Sequence, residues 1–530
     1  MYRNAIASVA LVVVGTSQAL SAQTTTRTSP TRAEPFNVLE ATIADVHAAM
    51  AAGRLTCRDL VQAYLDRIAA YDKKGPALNS IQTVNPKALA EADSLDAVLR
   101  STQPRGPLHC VPVVVKDQAE TKDMPTMFGS ILFKDFIPTR DATVVKRLRA
   151  AGAIIIAKAT MGEFASRYVT SSAGVIRNAY NPNRQPSGSS GGTGAAVAAN
   201  FALVGIGEDT GGSIRGPAAV ESCVGLRPTL PLVSRFGMLP ANPTQDTMGP
   251  ITRSVADATR ILDVIAGYDP DDPVTAYTVG QIPRSYGDAL VTGALKQARI
   301  GVLRIPHPAD STAADSVEFS KVRVVFERAL TDLRALGAEV VDSLRVPELP
   351  GRTITNDFET EEATDRYLAQ HPNAPYKTLK DILLAGGVDK SRARSLMPYV
   401  NRSTREAEYG AFTLYREALR VALLKIMADN RLDALVYATF DAQSPVIPED
   451  ILTNARVADK YFRGDNRPLS ALLAWPALTV PMGFTVDSMP AGLEFLGRAF
   501  SEPRLLGFAF AYEQGTKHRR PPSTTPTLAR

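Results

Sequence analysis

Apolar residues recur with two different periods along this 530-residue chain. In the N-terminal part, spacings of three and four residues predict helices at 38–50, 60–68 and 86–99. From residue 111 onward, short apolar runs alternate with longer helical patterns. The runs predict strands at 111–115, 153–157, 203–207, 299–303, 339–341, 433–437, 477–481 and 492–497. The helices between them are expected at 142–151, 193–202, 317–336, 406–430 and 502–514.

Strands that alternate with helices predict an α/β fold, in which helices pack on a β-sheet. The chain has no internal repeat and no clear interdomain linker. The helix-rich stretch at about 345–460 is less regular, and we interpret it as a cap inserted over the sheet. We therefore expect one large domain at 38–520.

The N-terminus has the order of residues that is typical of an export signal. A short basic start is followed by an apolar stretch at 5–15 and by small residues around 19–22. Since a membrane span needs about 20 apolar residues, we predict a cleaved signal peptide at 1–22 and a periplasmic or secreted protein. An uncleaved membrane anchor is the alternative. Residues 23–37 are expected to form a flexible leader and residues 521–530 a disordered tail.

Composition narrows the class of protein further. Hydrophobic residues make up 45% and charged residues 21%, as in ordinary soluble proteins. The net charge of +5 is scattered without a basic stripe, which argues against nucleic-acid binding. Cys57, Cys110 and Cys223 allow at most one disulfide, and we favour their interpretation as small buried hydrophobic residues.

Two glycine-rich clusters carry candidate nucleophiles. Residues 209–215 read DTGGSIR, and successive amides before Ser213 are placed to surround an oxyanion. Ser213 is therefore the strongest nucleophile candidate, although a tight turn alone would also need these glycines. Residues 187–192 read SGSSGG, and Ser189 is the second candidate. The alternative for this cluster is that its serines cap the helix that follows.

Lys116 ends the apolar run at 111–115 and is the candidate base. A lysine is protonated in water, but burial lowers its pKa and allows it to accept a proton. The alternative is that Lys116 forms an ion pair with Asp117. The five histidines include no His-Glu-x-x-His motif, so a metal site has little support. The Gly-x-Ser-x-Gly elbow of α/β-hydrolases does not occur around Ser189 or Ser213, and the glycine-rich loops lack the Gly-Lys-Ser/Thr ending of a phosphate-binding loop.

Together these motifs resemble the amidase signature family of Ser–Ser–Lys hydrolases. The resemblance covers about residues 38–520 and includes sequences at 108–112, 254–257 and 479–483. It is closest to exported bacterial peptide amidases. The family's fold implies a single large mixed, twisted β-sheet covered by helices on both faces, and its chemistry implies no metal and no organic cofactor.

The resemblance also implies a role for each motif residue. Ser213 would attack the carbonyl carbon, and Ser189, after a cis Gly188–Ser189 bond, would relay a proton to Lys116. The other implied residues surround this triad. They are the oxyanion-hole residues Thr210, Gly211 and Gly212, the bracing pair Asp209 and Arg215, and Ser190, which would hydrogen-bond near the relay. Four residues depart from the family pattern, namely Cys110 and Ser187 in place of glycine, Gln118, and Ala438.

These observations predict an amidase that hydrolyses a carboxamide C–N bond through an acyl-serine intermediate. The expected substrate is a peptide amide or an aryl or acyl amide, and hydrolysis of esters or carbamates by the same triad is the alternative. A catalytically silent binding protein is the third possibility, against which the complete triad argues. Export would separate the protein from ATP and partner subunits, which disfavours an amidotransferase acting on charged transfer RNA.

Overall fold

The structure is a computed structural model. It describes residues 10–11, 36–101, 104–304, 313–347, 349, 356–455 and 466–528. The predicted signal peptide and leader fall almost entirely outside these ranges. Within them, no helix is both long and apolar enough to cross a bilayer.

One mixed β-sheet of eleven strands forms the centre of the described structure and confirms the expected fold class. Its spatial order is β1-β3-β2-β6-β8-β7-β12-β13-β11-β9-β10. The strands are β1 (Ile81–Val84), β2 (Pro112–Lys116), β3 (Ile154–Ala159), β6 (Val204–Asp209), β7 (Val224–Arg227), β8 (Thr247–Thr252), β9 (Arg299–Leu303), β10 (Glu339–Leu344), β11 (Ala434–Ala438), β12 (Ala477–Phe484) and β13 (Pro490–Leu496). A separate two-stranded sheet comprises β4 (Val169–Thr170) and β5 (Gly174–Val175).

Helices occupy most of the segments between the strands. They are α1 (Ile43–Ala51), α2 (Cys57–Tyr71), α3 (Ala88–Ser101), α4 (Thr143–Ala150), α5 (Gly191–Ala198), α6 (Arg215–Val220), α7 (Val255–Ile265), α8 (Ala313–Ala335), α9 (Thr360–Ala369), α10 (Leu379–Leu384), α11 (Lys390–Leu396), α12 (Ala407–Asp429), α13 (Arg467–Leu473) and α14 (Glu502–Thr516). Ser254 caps the start of α7 by accepting a hydrogen bond from the Asp257 amide.

Apolar periodicity predicted the longer helices and most strands of the large sheet to within a few residues. It missed the strands β1, β7 and β8 of this sheet, the short strands β4 and β5, and the helices α6, α7 and α13. The sequence of β8, TMGPIT, contains glycine and proline, which usually interrupt strands. In the structure β8 is buried along its whole length because it lies between β6 and β7. The position of this segment between two neighbouring strands, and not its own apolar pattern, therefore explains why it forms a strand.

The described residues from Phe36 onward form one compact unit. Helices α9 to α11 of the predicted cap pack on the segment after β2 through an aromatic cluster. In this cluster Phe128 contacts Phe133 and Tyr367 edge to face. Helix α12 belongs instead to a separate apolar cluster beside β9 and β11.

The expected disordered tail is wrong for the part that the structure describes. Residues 521–528 lie against the protein body: Arg67 donates hydrogen bonds to the carbonyl oxygens of Thr525 and Pro526 at 2.7 and 2.9 Å. Thr525 is buried. Backbone groups of a polar tail thus satisfy a buried guanidinium, a contact that composition does not reveal.

Candidate active site

Two neighbouring parallel strands bring the predicted lysine to one edge of the sheet. Strands β2 and β6 pair with Val115 opposite Ile206. Lys116 is the last residue of β2, and Glu208 is the last but one of β6. Because both strands end at the same edge of the sheet, these two side chains meet there.

Lys116 contacts Ser189 and Glu208 inside the protein. Its Nζ donates to Ser189 Oγ and to Glu208 Oε2, each at 2.6 Å. The side chains of Lys116 and Glu208 are fully buried. The predicted base and the predicted relay serine are therefore in direct contact, and a carboxylate that the motifs did not indicate completes the cluster.

Asp117 does not pair with Lys116, so the alternative interpretation of this lysine is wrong. Asp117 lies 3.3 Å from Lys158 Nζ, and both side chains are fully buried. Burial raises the pKa of Asp117 and lowers that of Lys158. The chain therefore has a second buried lysine–carboxylate pair next to the candidate site.

The serine-rich loop is held in place by close backbone packing. Its Gly188–Ser189 peptide bond is cis, as the resemblance implied. A β-carbon at Gly188 would overlap the Arg167 carbonyl oxygen, and one at Gly192 would overlap that of Thr160. Only glycine fits at these two positions without displacing the backbone.

Ser190 fastens the same loop to strand β6. Although it precedes helix α5, its side chain makes no capping hydrogen bond. Its Oγ instead donates to the Glu208 carbonyl oxygen at 3.0 Å and accepts from the Glu208 amide at 3.2 Å. The helix-capping alternative for this serine is therefore wrong.

Asp209 organises the second glycine-rich loop. Its carboxylate accepts hydrogen bonds from the Gly212 and Ile214 amides at 2.7 and 3.1 Å, and it pairs with Arg215 and Arg227. Burial alone would raise the pKa of Asp209, but the two guanidinium groups hold it well below its usual range. The expected contact with Arg215 is present, and Arg227 is a cation that the sequence analysis missed.

Ser213 follows this loop and is partly exposed. Among the described residues, its Oγ makes no hydrogen bond with Ser189 or Lys116. The two loops nevertheless lie side by side, because a β-carbon added to Gly216 would lie 2.8 Å from Ser187 Oγ. The structure thus joins two members of the predicted triad directly and leaves the third as an accessible hydroxyl on the adjacent loop.

The amides expected to form the oxyanion hole are not equivalent. The Gly212 amide donates to Asp209, so its predicted place in the hole does not hold in this structure. Within the described ranges, the amides of Thr210, Gly211 and Ser213 have no protein acceptor. These three remain available as donors for an oxyanion.

Two acidic residues that the sequence analysis did not select, Glu208 and Asp246, are linked to each other through Thr210, and Glu208 contacts Lys116. Thr210 Oγ1 is 2.7 Å from both Glu208 Oε1 and Asp246 Oδ1. Burial, together with the nearby Glu208 carboxylate, raises the pKa of Asp246 to about 7. Glu208 had a signal, as a carboxylate at the end of an apolar run directly before Asp209. Asp246 had no such sequence signal, because it contacts Thr210, which is 36 residues away in the sequence.

Two of the residues that depart from the family pattern occupy left-handed backbone conformations. Cys110 has a φ of +63° and Ser187 a φ of +60°, the region that favours glycine. Cys110 forms a disulfide with Cys57, whereas Cys223 is free and buried. The favoured interpretation of the cysteines as small hydrophobic residues is therefore wrong for the bonded pair.

One group of metal-ligand side chains lies close together in the described part of the chain. It consists of Cys57, His109 and Cys110, whose ligand atoms lie within 4.8 Å of one another. The disulfide occupies both sulfur atoms, so only the imidazole is left to bind a metal.

Comparison with known proteins identifies the family. The model of a family described as Amidase matches residues 59–506. The chain belongs to the amidase family. The solved structure of the native peptide amidase from Stenotrophomonas maltophilia is 36% identical to this amidase, with a TM-score of 0.83, and the match covers 93% of this chain and 100% of that one.

Two further relatives show how widely the similarity extends. An amidase family protein from Bacillus anthracis is 32% identical with a TM-score of 0.80, over 92% of this chain and 93% of that one. A glutamyl-tRNA(Gln) amidotransferase subunit of Alkaliphilus metalliredigens is 34% identical over 498 residues, which cover 90% of this chain and 97% of the relative. As an amidase, the protein is a hydrolase of amide C–N bonds.

Proposed function

We propose that this amidase cleaves its substrate through an acyl-serine intermediate formed by Ser213, Ser189 and Lys116. The observation that carries the proposal is the 2.6 Å hydrogen bond between Lys116 Nζ and Ser189 Oγ in a fully buried environment. A buried amine in contact with one hydroxyl, next to a loop that presents a second hydroxyl, is arranged for relayed proton transfer.

The proposed reaction begins when Ser213 Oγ attacks the amide carbonyl carbon. Its proton passes to Ser189 Oγ as Ser189 gives its own proton to the neutral amine of Lys116. The amides of Thr210 and Gly211 donate to the oxyanion. The relay then runs in reverse to protonate the leaving amine, and water repeats the sequence to release the acid from Ser213.

We propose a peptide amide or an aryl or acyl amide as the substrate. The similarity to a peptide amidase over nearly the whole of both chains supports the first of these. Ester and carbamate hydrolysis by the same triad is the alternative. Rates on amide, anilide, ester and carbamate substrates that share one acyl group would separate these activities.

We also propose that the protein is exported, with residues 1–22 as a cleaved signal peptide. The Cys57–Cys110 disulfide supports this proposal, because disulfides persist mainly in oxidising compartments. Fractionation of a Gram-negative host that expresses the full chain should place a shortened protein in the periplasm or medium. Uncleaved protein in the cytoplasm would contradict the proposal.

Ser213→Ala should reduce kcat by about 10⁴-fold or more while leaving the circular dichroism spectrum unchanged, because it removes only the attacking oxygen. A fluorophosphonate probe should label the wild type at Ser213 and fail to label the variant. The matched control is Ser320→Ala, which removes an exposed hydroxyl of α8 and should keep normal turnover. Turnover retained by Ser213→Ala would exclude Ser213 as the nucleophile.

A further inference from the structure

We infer that Glu208, Thr210 and Asp246 form a proton switch, which determines whether Lys116 faces a carboxylate or a neutral carboxylic acid. The inference rests on the proposed function, since it concerns the protonation of the proposed base. It assigns a positioning role to these three side chains, which are linked through Thr210 and of which Glu208 contacts Lys116.

Hydrogen-bond geometry requires one shared acid proton in this group. Thr210 Oγ1 is 2.7 Å from Glu208 Oε1 and equally far from Asp246 Oδ1. A threonine hydroxyl has a single proton to donate, and ionised carboxylates only accept. Both contacts are hydrogen bonds at the same time only when one of the two carboxyl groups is protonated and donates to Thr210.

The neighbouring contacts place that proton on Asp246 in the resting state. Asp246 Oδ2 accepts from the amides of Ala241 and Asn242, both at 2.8 Å, which leaves Oδ1 to carry the proton. Glu208 Oε2 instead faces Lys116 Nζ at 2.6 Å, where a negative charge is stabilised. Burial and the charge of Glu208 raise the pKa of Asp246 to about 7, consistent with this assignment.

The surrounding charges agree with a neutral Asp246. Ion pairs between fully buried side chains of the described residues link Lys116 to Glu208, and Arg215 and Arg227 to Asp209 and Glu494. The neighbouring Asp117–Lys158 pair adds one buried anion and one buried cation. Cations and anions are thus equal in number when Asp246 is neutral. On the helical side, Glu359 and Arg416 contact the backbone of Thr244, two residues before Asp246.

The switch operates by moving two protons one step each. Asp246 Oδ1 gives its proton to Thr210 Oγ1 while Thr210 gives its own proton to Glu208 Oε1, so none is gained or lost. Glu208 is then neutral, and the buried Lys116 ammonium, without its counter-charge, releases a proton to solvent and becomes the amine base. When Lys116 takes a proton from Ser189, the reverse transfer restores the Glu208 carboxylate beside the new ammonium.

The test is the pH dependence of kcat/KM, whose low-pH limb reports the coupled ionisation of this group. Asp246→Asn keeps an acceptor for the two amides and donates to Thr210, which fixes Glu208 as a carboxylate. We expect the limb to move to higher pH by about one unit or more. Glu208→Gln removes the carboxylate permanently, so the limb should move to lower pH while kcat falls.

Two substitutions of Thr210 test the role of its hydroxyl, which lies between the carboxyl groups of Glu208 and Asp246, without changing either carboxyl group. Thr210→Val removes the hydroxyl at nearly constant volume and should move the limb in the same direction as Asp246→Asn. Thr210→Ser is the conservative variant, and its limb should coincide with that of the wild type. A merely structural role would lower the rates of these variants without moving the limb in opposite directions.

Unmoved limbs in folded Asp246→Asn and Glu208→Gln would overturn the switch. If Asp246→Asn does not fold, the Thr210 pair decides the same question, together with infrared titration of the wild type for a carboxyl group that stays protonated towards neutral pH. The Ser213→Ala assay distinguishes the two proposals. If Ser213→Ala loses turnover but the low-pH limbs of Asp246→Asn and Glu208→Gln do not move, only the switch is refuted. If Ser213→Ala retains turnover, the proposed function is refuted.

Discussion

At the scale of single residues, the site depends on which charges are buried together. Lys116 Nζ contacts a serine hydroxyl and a carboxylate oxygen, each at 2.6 Å. A lysine that served only as a structural counter-ion would not need the serine, and a lone base would not need Glu208. The combination suits a base whose charge changes during the reaction.

Replacing Asp246 should change how the free energy of unfolding depends on pH. The pKa of Asp246 is raised from 3.8 to about 7 by burial and by Glu208, so the folded state binds this proton more tightly than the unfolded state. This contribution to stability is complete below about pH 4 and is lost as pH rises through about 7. Relative to Asp246→Asn, the wild type should lose about 1.4 kcal/mol per pH unit across this window.

Urea unfolding of both proteins at several pH values measures this difference. Asp288→Asn, which removes a carboxylate from an exposed position, serves as the control and should follow the wild type. Parallel curves for the wild type and Asp246→Asn would mean that Asp246 is ionised in the folded protein.

At the scale of elements, the two serine loops depend on glycine at points of close approach. Helix α5 begins at Gly191, and its second residue, Gly192, packs directly against the backbone of Thr160 after β3. This close packing holds the start of α5, and with it the loop bearing Ser189, within hydrogen-bond reach of Lys116. The glycines thus serve the chemistry through packing, whatever turn they also form.

Gly192→Ala should lower the free energy of unfolding by about 1–3 kcal/mol, because its β-carbon would overlap backbone atoms that cannot move independently. Turnover should fall with it as the Ser189 loop shifts. The control is Gly410→Ala in α12, where a β-carbon meets nothing within 4 Å. That change should stabilise the protein by about 0.5–1 kcal/mol, and equal effects of the two substitutions would contradict the packing argument.

At the scale of the whole molecule, the Cys57–Cys110 disulfide joins the start of α2 to the segment before β2 across 53 residues. It connects the N-terminal helices to the strand that carries Lys116. The bond restricts the unfolded chain more than the folded one, which stabilises the native state.

Cys57→Ser combined with Cys110→Ser should lower the free energy of unfolding by about 2–4 kcal/mol. Urea unfolding with and without dithiothreitol supplies the internal control. Reductant should destabilise the wild type and leave the double variant unchanged. Equal stability of the wild type in both conditions would show that the bond does not contribute.

The sequence by itself determined the family, the α/β class, most helices and strands, and the serine and lysine motifs. These features could be predicted because apolar periodicity and the glycine clusters at 187–192 and 209–215 involve residues that are close together in the sequence. The sequence also indicated Ser190 and the Asp209–Arg215 pair, through the resemblance that the motifs carry.

Tertiary structure alone decided the partners of these residues. It paired Lys116 with Glu208 and not with the adjacent Asp117, formed strand β8 between two neighbours, and brought Asp246 to Thr210 across 36 positions. The reason is physical: a buried charge is stabilised by whichever opposite charge or hydrogen-bond donor the fold places within about 3 Å. That choice depends on strand order and loop packing, which no local pattern encodes.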